Sequence, residues 1–123
     1  MKLLAITVLL CLGEAFGSTA RSLYLSDKKT ETIRIVPGRS TILSFPSRPT
    51  KVILGNQGLF AIQYVENDIA IAAIKAPAHS NLFVYLEGRR FGFDLVTVSQ
   101  QGDEIILVRD SDDRKIKVRV QNE

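Results

Sequence analysis

The chain has 123 residues, which is enough for one domain with a modest core and too few for two. Its formal net charge of +3 is mild, and basic and acidic residues alternate along most of the sequence, which argues against binding of nucleic acid through phosphates. Cys11 is the only cysteine, so the composition also excludes a disulfide within the chain.

Residues 1–17 have the pattern of a secretory signal peptide. Lys2 supplies a positive charge, an apolar run extends to Leu12, and small residues precede Ser18 at the positions that signal peptidase reads. The apolar run is roughly half as long as the ~20 residues that a membrane-spanning helix needs. The sequence therefore predicts an exported, soluble protein that begins at Ser18, with a cut after Ala20 as the alternative.

Residues 18–31 are polar and charged, and we expect them to form a flexible N-terminal arm. Only Leu23, Tyr24 and Leu25 could form a short strand there. Terminal segments of this composition are seldom ordered unless they pair with the edge of a sheet.

The remaining residues, 32–123, alternate between short β-branched or aromatic runs and turn signals about every ten residues. The first two runs are expected to form a hairpin around Pro37-Gly38. A sustained helical period of apolar residues is absent. The pattern predicts an all-β protein, a single antiparallel β-sandwich of about eight or nine short strands. The expected strands are Thr32–Val36, Thr41–Phe45, Lys51–Leu54, Ile62–Val65, Ile69–Ile74, the two arms of Asn81–Val98, Glu104–Arg109 and Lys115–Val120.

The segment Asn81–Val98 is predicted to be one β-hairpin that turns at Glu87-Gly88, because glycine supplies the positive φ of a two-residue turn. Side chains on a strand point alternately to the two faces of the sheet, so this turn also determines which residues face the core. The core-facing pairs of the predicted register are Leu86 with Arg89, Val84 with Phe91, and Leu82 with Phe93.

The opposite face of this hairpin carries aromatic and basic side chains. Phe83 is predicted to cover the backbone at Gly92, and Tyr85 to lie within cation–π distance of Arg90. Two interpretations remain open: both faces are buried within one domain, or the outer face contacts a partner. Under the second interpretation, Phe83, Tyr85 and Arg90 are candidate protein-binding residues.

The last predicted strand alternates the cations Lys115, Lys117 and Arg119 with apolar residues. This alternation indicates either an edge strand that is charged against unwanted pairing, or an electrostatic contact with an acidic partner. The three cations are therefore a second set of candidate protein-binding residues.

The sequence has no convincing catalytic or metal-binding pattern. His79 is the only histidine, and although Ser80 and Asp94 would complete a Ser/His/Asp set, the nucleophile elbow is missing. Three acidic residues near the end lack the glycine and glutamate of a calcium loop and are typical of a turn. Those residues are Asp110, Asp112 and Asp113. We therefore expect a non-enzymatic protein without a cofactor or metal.

Three groups of residues resemble a known family. They are, in chain order, Ile33-Arg34-Ile35-Val36-Pro37-Gly38-Arg39-Ser40, then the strand Ser80-Asn81-Leu82-Phe83-Val84, then Arg90-Phe91-Gly92-Phe93-Asp94-Leu95. Together these residues resemble the N-terminal domain of CagX/TrbG-type proteins. Those proteins are periplasmic subunits of the outer-membrane core complex of type IV secretion and conjugation machines. The turn at residues 37–40 is also similar, more weakly, to the N-terminal domain of pilus-assembly secretins.

This resemblance implies a structural or adaptor role in a secretion, conjugation or pilus machine, in the periplasm and in association with the outer membrane. It implies other envelope-complex proteins as partners and self-assembly in a ring. The charge pattern predicts no nucleic acid as a partner, and the short apolar run predicts no membrane span. The alternative is a small periplasmic module that binds cell-wall or other glycans. Such modules usually display exposed Trp or Tyr, and this chain has no Trp and three Tyr.

We predict export and cleavage of the leader. N-terminal sequencing of the protein purified from the periplasmic fraction should read from Ser18, or from Arg21 if the cut follows Ala20. Protein that retains Met1, or that partitions into the detergent phase as a lipoprotein, would contradict this expectation.

Overall fold

The computed structural model describes residues 20–26 and 28–111, and within them nine strands form two facing sheets. This arrangement confirms the predicted all-β sandwich. The predicted signal peptide and the cations Lys115, Lys117 and Arg119 lie outside the described residues. The strands are β1 (Ala20–Leu25), β2 (Thr30–Ile35), β3 (Ser40–Ser44), β4 (Lys51–Leu54), β5 (Phe60–Val65), β6 (Asp68–Ala73), β7 (His79–Leu86), β8 (Arg89–Thr97) and β9 (Ile105–Asp110).

Both sheets contain parallel as well as antiparallel pairs. The first sheet has the order β1-β9-β3-β6-β5, and the second has the order β2-β8-β7-β4. The pairs β1–β9, β3–β9 and β2–β8 are parallel, whereas the other described pairs are antiparallel. The sandwich is therefore mixed and not purely antiparallel as the sequence predicted, because its parallel pairs join strands that are far apart in the sequence.

The predicted hairpin of β2 and β3 is wrong, because the two strands lie in opposite sheets. The turn itself is present: Gly38 has a φ of 88°, and the Arg39 amide donates to the Val36 carbonyl oxygen at 3.0 Å. It acts as a corner between the sheets. Ile33 of β2 and Leu43 of β3 are both fully buried, so each strand contributes to the core from its own side.

The expectation of a flexible arm is wrong for residues 20–25, which form β1. This strand pairs in parallel with β9 over its whole length, and Leu25 at its end is fully buried. The pairing supplies the sheet edge that a polar terminal segment needs for order. The remainder of the predicted arm includes Thr30 and Glu31, which begin β2.

The β7–β8 hairpin has the register that the sequence predicts. Leu86 pairs with Arg89, Val84 with Phe91, and Leu82 with Phe93. Both turn residues have positive φ, 49° at Glu87 and 74° at Gly88, as a type I′ turn requires. The inward residues of the hairpin are part of a core that also contains Leu25, Ile33, Ile35, Leu43, Phe45, Phe60, Ile69, Ile71, Leu95, Ile106 and Val108.

Contacts between the two sheets hold this core together at two points along the hairpin. Phe93 of β8 packs edge-to-face on Phe45, with ring centroids 6.4 Å apart and an interplanar angle of 79°. Near the turn, the Arg89 guanidinium lies 5.3 Å from the Phe91 ring centroid and forms an ion pair with Asp110 at the end of β9. The ion pair joins the second sheet to the first.

Asp103, in the loop before β9, connects three strands. Its carboxylate accepts from Arg21 Nε of β1 at 2.8 Å and from the Arg34 amide of β2 at 2.8 Å, while its carbonyl oxygen accepts from Thr41 Oγ1 of β3 at 2.6 Å. Burial by itself raises the pKa of Asp103. The hydrogen bonds from Arg21 and Arg34, with both guanidinium charges, outweigh burial and hold this pKa below its ordinary value of 3.8.

We predict that alanine at Phe91 or at Phe93 lowers the free energy of unfolding by about 3–5 kcal/mol, since each ring is buried. Phe83→Ala is the matched control, because this ring is only half-buried on the other face, and it should cost about 1–2 kcal/mol. Urea denaturation measures all three. Equal losses at the three positions would mean that the hairpin faces are assigned wrongly.

A second prediction concerns acid stability. Because the folded state lowers the pKa of Asp103, its carboxylate stabilises the fold above the ordinary pKa of 3.8, and this contribution is lost as pH falls through the folded-state pKa. Asp103→Asn should cost about 1–3 kcal/mol at pH 7 and progressively less as the pH falls below 3.8. Unfolding curves across this pH range test it, and a cost that does not change with pH would show that the charge is unimportant.

Candidate protein-binding site

The outer face of the second sheet brings together three of the predicted binding residues. The sheet register places Lys51, Tyr85 and Arg90 in one row across β4, β7 and β8, and Ile53 beside Phe83 in the next row. We call these five residues the hairpin face. The described strands form two layers, and the first sheet packs against the opposite side of this sheet.

Phe83 is held in place by a glycine on the neighbouring strand. Gly92 pairs with Phe83, and a Cβ added at Gly92 would lie 3.3 Å from the Phe83 ring and 3.4 Å from Thr30 Oγ1. The missing side chain at Gly92 therefore leaves room for the ring over β8. The predicted cover of Gly92 by Phe83 agrees with this geometry, and it leaves the ring half-buried.

Arg90 contacts a different ring from the one that the sequence predicts. Its guanidinium carbon lies 5.9 Å from the centroid of Phe83, which is within cation–π distance. Tyr85 is the cross-strand partner of Arg90, yet Arg90 extends along the strand towards the diagonal neighbour Phe83. A long side chain reaches diagonal positions easily, so the register alone does not decide its contact.

Tyr85 is anchored through its backbone. The carbonyl oxygen of Tyr85 accepts from the Thr50 amide at 2.8 Å and from Thr50 Oγ1 at 3.1 Å. These bonds attach the start of β4 to β7 and place Lys51 directly opposite Tyr85. The Tyr85 side chain is half-buried, and Arg90 beside it is exposed.

Ile53 belongs to this face and was not predicted from the sequence. Its side chain is 42% exposed, although isoleucine is among the residues most often buried. The sequence does indicate the outward direction of Ile53, since Lys51 and Ile53 alternate with Val52 and Leu54, which pack against the core. Only the pairing of β4 with β7 shows that Ile53 lies next to Phe83.

The charges around these apolar side chains are mostly positive. Arg90 and Lys51 are exposed on the hairpin face, and Arg34 is exposed on the outer side of β2. The carboxylates nearby are the half-buried Asp94 and the exposed Glu87 of the hairpin turn. The face thus combines aromatic and aliphatic surface with guanidinium and ammonium groups. Such a combination suits a protein surface that presents apolar and acidic side chains.

The Ser/His/Asp set considered from the sequence does not converge. Ser80 is buried and His79 is exposed, because neighbouring residues of β7 point to opposite faces. Ser80 Oγ accepts from the Asn56 amide at 2.9 Å and donates to the Asn81 carbonyl oxygen at 3.1 Å. These bonds give Ser80 a structural role at the start of the hairpin.

The part of the chain that the structure describes has no metal-binding cluster and no membrane-spanning helix. Residues 20–26 and 28–111 contain no group of three or more His, Cys, Asp or Glu side chains placed to hold a metal ion. No helix within these residues is long and apolar enough to cross a membrane. Of the acidic cluster near the end of the chain, Asp110 forms the ion pair with Arg89, and the other two residues lie outside the described ranges.

Comparison with known proteins gives no family assignment, since no protein-family model matches the sequence and no curated protein matches it significantly.

Proposed function

We propose that this protein is a non-enzymatic assembly subunit or adaptor of a bacterial secretion, conjugation or pilus machine. It is exported to the periplasm, associates with the outer membrane there, and binds other envelope-complex proteins. The observation that carries this proposal is the hairpin face, on which Phe83, Tyr85 and Arg90 lie together on the outer side of a sheet. The resemblance of Ser80–Leu95 to CagX/TrbG-type N-terminal domains supports the choice of machine.

The composition of this face favours protein contacts. Tyrosine and arginine are enriched among the residues that contribute most to binding between proteins. Such residues cluster in well-packed positions near the centre of an interface. Phe83 is held against Gly92, and Ile53 adds exposed apolar surface beside it. Because the β7–β8 hairpin is rigidly paired, little conformational entropy is lost when a partner covers these side chains.

The positive charges on the hairpin face indicate the charge of the partner surface. Lys51 on β4 and Arg90 on β8 lie on either side of β7, which carries the aromatic side chains of Phe83 and Tyr85. Charges at the border of an interface mainly affect association rate and specificity. We therefore expect the partner to present acidic side chains around an apolar centre.

The outer face can be tested by a double substitution. Tyr85→Ala with Arg90→Glu removes aromatic contact area and replaces attraction by repulsion. We expect the tagged double variant to keep the circular dichroism spectrum of the β-sandwich and to lose co-purification with envelope-complex subunits from its host. Mass spectrometry of detergent-solubilised envelopes identifies those subunits.

The matched control is Tyr24→Ala with Lys75→Glu, which makes the same kinds of change away from the second sheet. Tyr24 is 45% exposed on β1 of the first sheet, and Lys75 is exposed in the bend after β6. This control should co-purify normally. If the Tyr85/Arg90 variant also co-purifies normally, the partner binds elsewhere, and the cations Lys115, Lys117 and Arg119 become the next candidates. If envelopes yield only bound glycan and no protein subunits, the assembly function is wrong.

A further inference from the structure

Strand β5 is an edge of the first sheet, and its outward backbone groups have no partner among the described strands. Among the described strands it pairs only with β6. The Ile74 amide donates to the Leu59 carbonyl oxygen at 2.7 Å, so position 59 belongs to a hydrogen-bonded pair of this ladder. Such pairs alternate along an antiparallel ladder. It follows that Phe60, Ile62 and Tyr64 direct their backbone N–H and C=O groups away from β6, towards the open edge.

The inward side of β5 is incompletely covered. Phe60 is buried, Ile62 is half-buried, and Tyr64 is 51% exposed although it points to the inner side of the sheet. A cleft of about 250 Å³ opens here between the edges of the two sheets. It is lined by Val52, Leu54, Gln57, Phe60, Ile62 and Tyr64.

The other three sheet edges carry charged side chains, and β5 carries none. Arg21 lies on β1, Glu31 and Arg34 lie on β2, and Lys51 begins β4. Charged residues on edge strands oppose pairing with other chains, particularly with identical strands, which would bring like charges together. Strand β5 has the sequence FAIQYV and is the one described edge strand without a charged side chain, so no register of its self-pairing brings like charges together within the strand.

We propose that β5 pairs antiparallel with β5 of a second copy of this chain, about a twofold axis that passes beside Ile62. The axis stands perpendicular to the first sheet, so inward residues of one copy must lie opposite inward residues of the other. Ile62 then faces Ile62 of the second copy, and Phe60 faces Tyr64 of the second copy. The first sheets of the two copies become one continuous sheet.

This register uses all of the open backbone groups. With Phe60, Ile62 and Tyr64 on each strand directed outward, every N–H meets a C=O of the other strand in hydrogen-bonded pairs. Glu66, the nearest charged residue after β5, falls opposite Gly58 of the second copy, so no like charges oppose each other. The two clefts also meet across the axis, which covers the exposed part of Tyr64.

The pairing does not rest on the proposed function. It uses the first sheet, whereas the hairpin face lies on the second, and a twofold contact closes on itself as a pair. An extended strand of another protein could in principle add to the same edge. Self-pairing is favoured because the edge is uncharged and because the inward side chains, all apolar or aromatic, lie opposite the same kinds of side chain in the second copy.

The oligomeric state of the exported protein tests this proposal directly. Sedimentation equilibrium over a hundredfold concentration range should show a monomer–dimer equilibrium. Tyr64→Pro removes an N–H that faces the open edge and leaves the bonds from β5 to β6 in place. We expect it to raise the dissociation constant at least tenfold. Tyr64→Thr keeps this N–H and the strand propensity, so it is the matched control and should weaken the pair much less.

A second variant protects the test against misfolding of the proline variant. Gln63→Lys changes an exposed, outward side chain, and the Cα atoms of the two added lysines would lie roughly 7–8 Å apart diagonally across the axis, so their ammonium groups repel each other. This variant should also raise the dissociation constant, and the effect should shrink at high salt. A wild-type protein that remains monomeric over the whole range overturns the proposal, as do folded Tyr64→Pro and Gln63→Lys variants that dimerise like the wild type.

The register is tested by single cysteines in a Cys11→Ser background. Residues opposite each other in a hydrogen-bonded pair have Cα atoms about 5.5 Å apart, which a disulfide can span. Ile62→Cys should therefore give a covalent dimer on oxidation, detected on a non-reducing gel. Gln63→Cys should not, because its own copy lies diagonally across the axis. The reverse result would overturn the proposed axis at Ile62.

Discussion

Burial of one row of hairpin side chains is the constraint on which the rest of the structure depends. Leu82 and Val84 on β7 lie opposite Phe93 and Phe91 on β8, and all four are buried. A slip of one residue would exchange the faces and carry Arg90 into the core, where an unpaired guanidinium is very costly. The type I′ turn favours the same register as the core. The outer face is therefore determined by what the inner face must bury.

Asp103 imposes a second constraint, on how the two sheets are connected. Its carboxylate accepts hydrogen bonds from β1 of the first sheet and β2 of the second, and its carbonyl oxygen accepts one from Thr41 of β3. A half-buried carboxylate is stable only when donors replace the lost water. Arg21 and the Arg34 amide supply those donors, so β1 and β2 are held at the same loop. This loop leads into β9, to which both β1 and β3 pair in parallel.

The sequence was sufficient wherever local chemistry decides the structure. The β4 bounds, the β7–β8 register and the contact of Phe83 with Gly92 all follow from turn residues and a period of two. Prediction failed where partners are remote. A turn at Pro37-Gly38 looks the same whether its strands pair or cross between sheets, and the parallel pairing of β1 with β9 has no local signal. For the same reason, Ile53 joined the candidate site only once β4 was placed beside β7.

The two proposed interaction surfaces have a joint consequence, because they lie on different sheets. An axis perpendicular to the first sheet keeps the second sheets of both copies on the same side. A β5-linked pair would therefore present two hairpin faces in the same direction. Two linked faces that meet two linked partner sites bind with an effective concentration set by their spacing, which raises overall affinity without any new contact. Weak contacts through Phe83, Tyr85 and Arg90 would then suffice for stable assembly, provided that the partner is itself repeated.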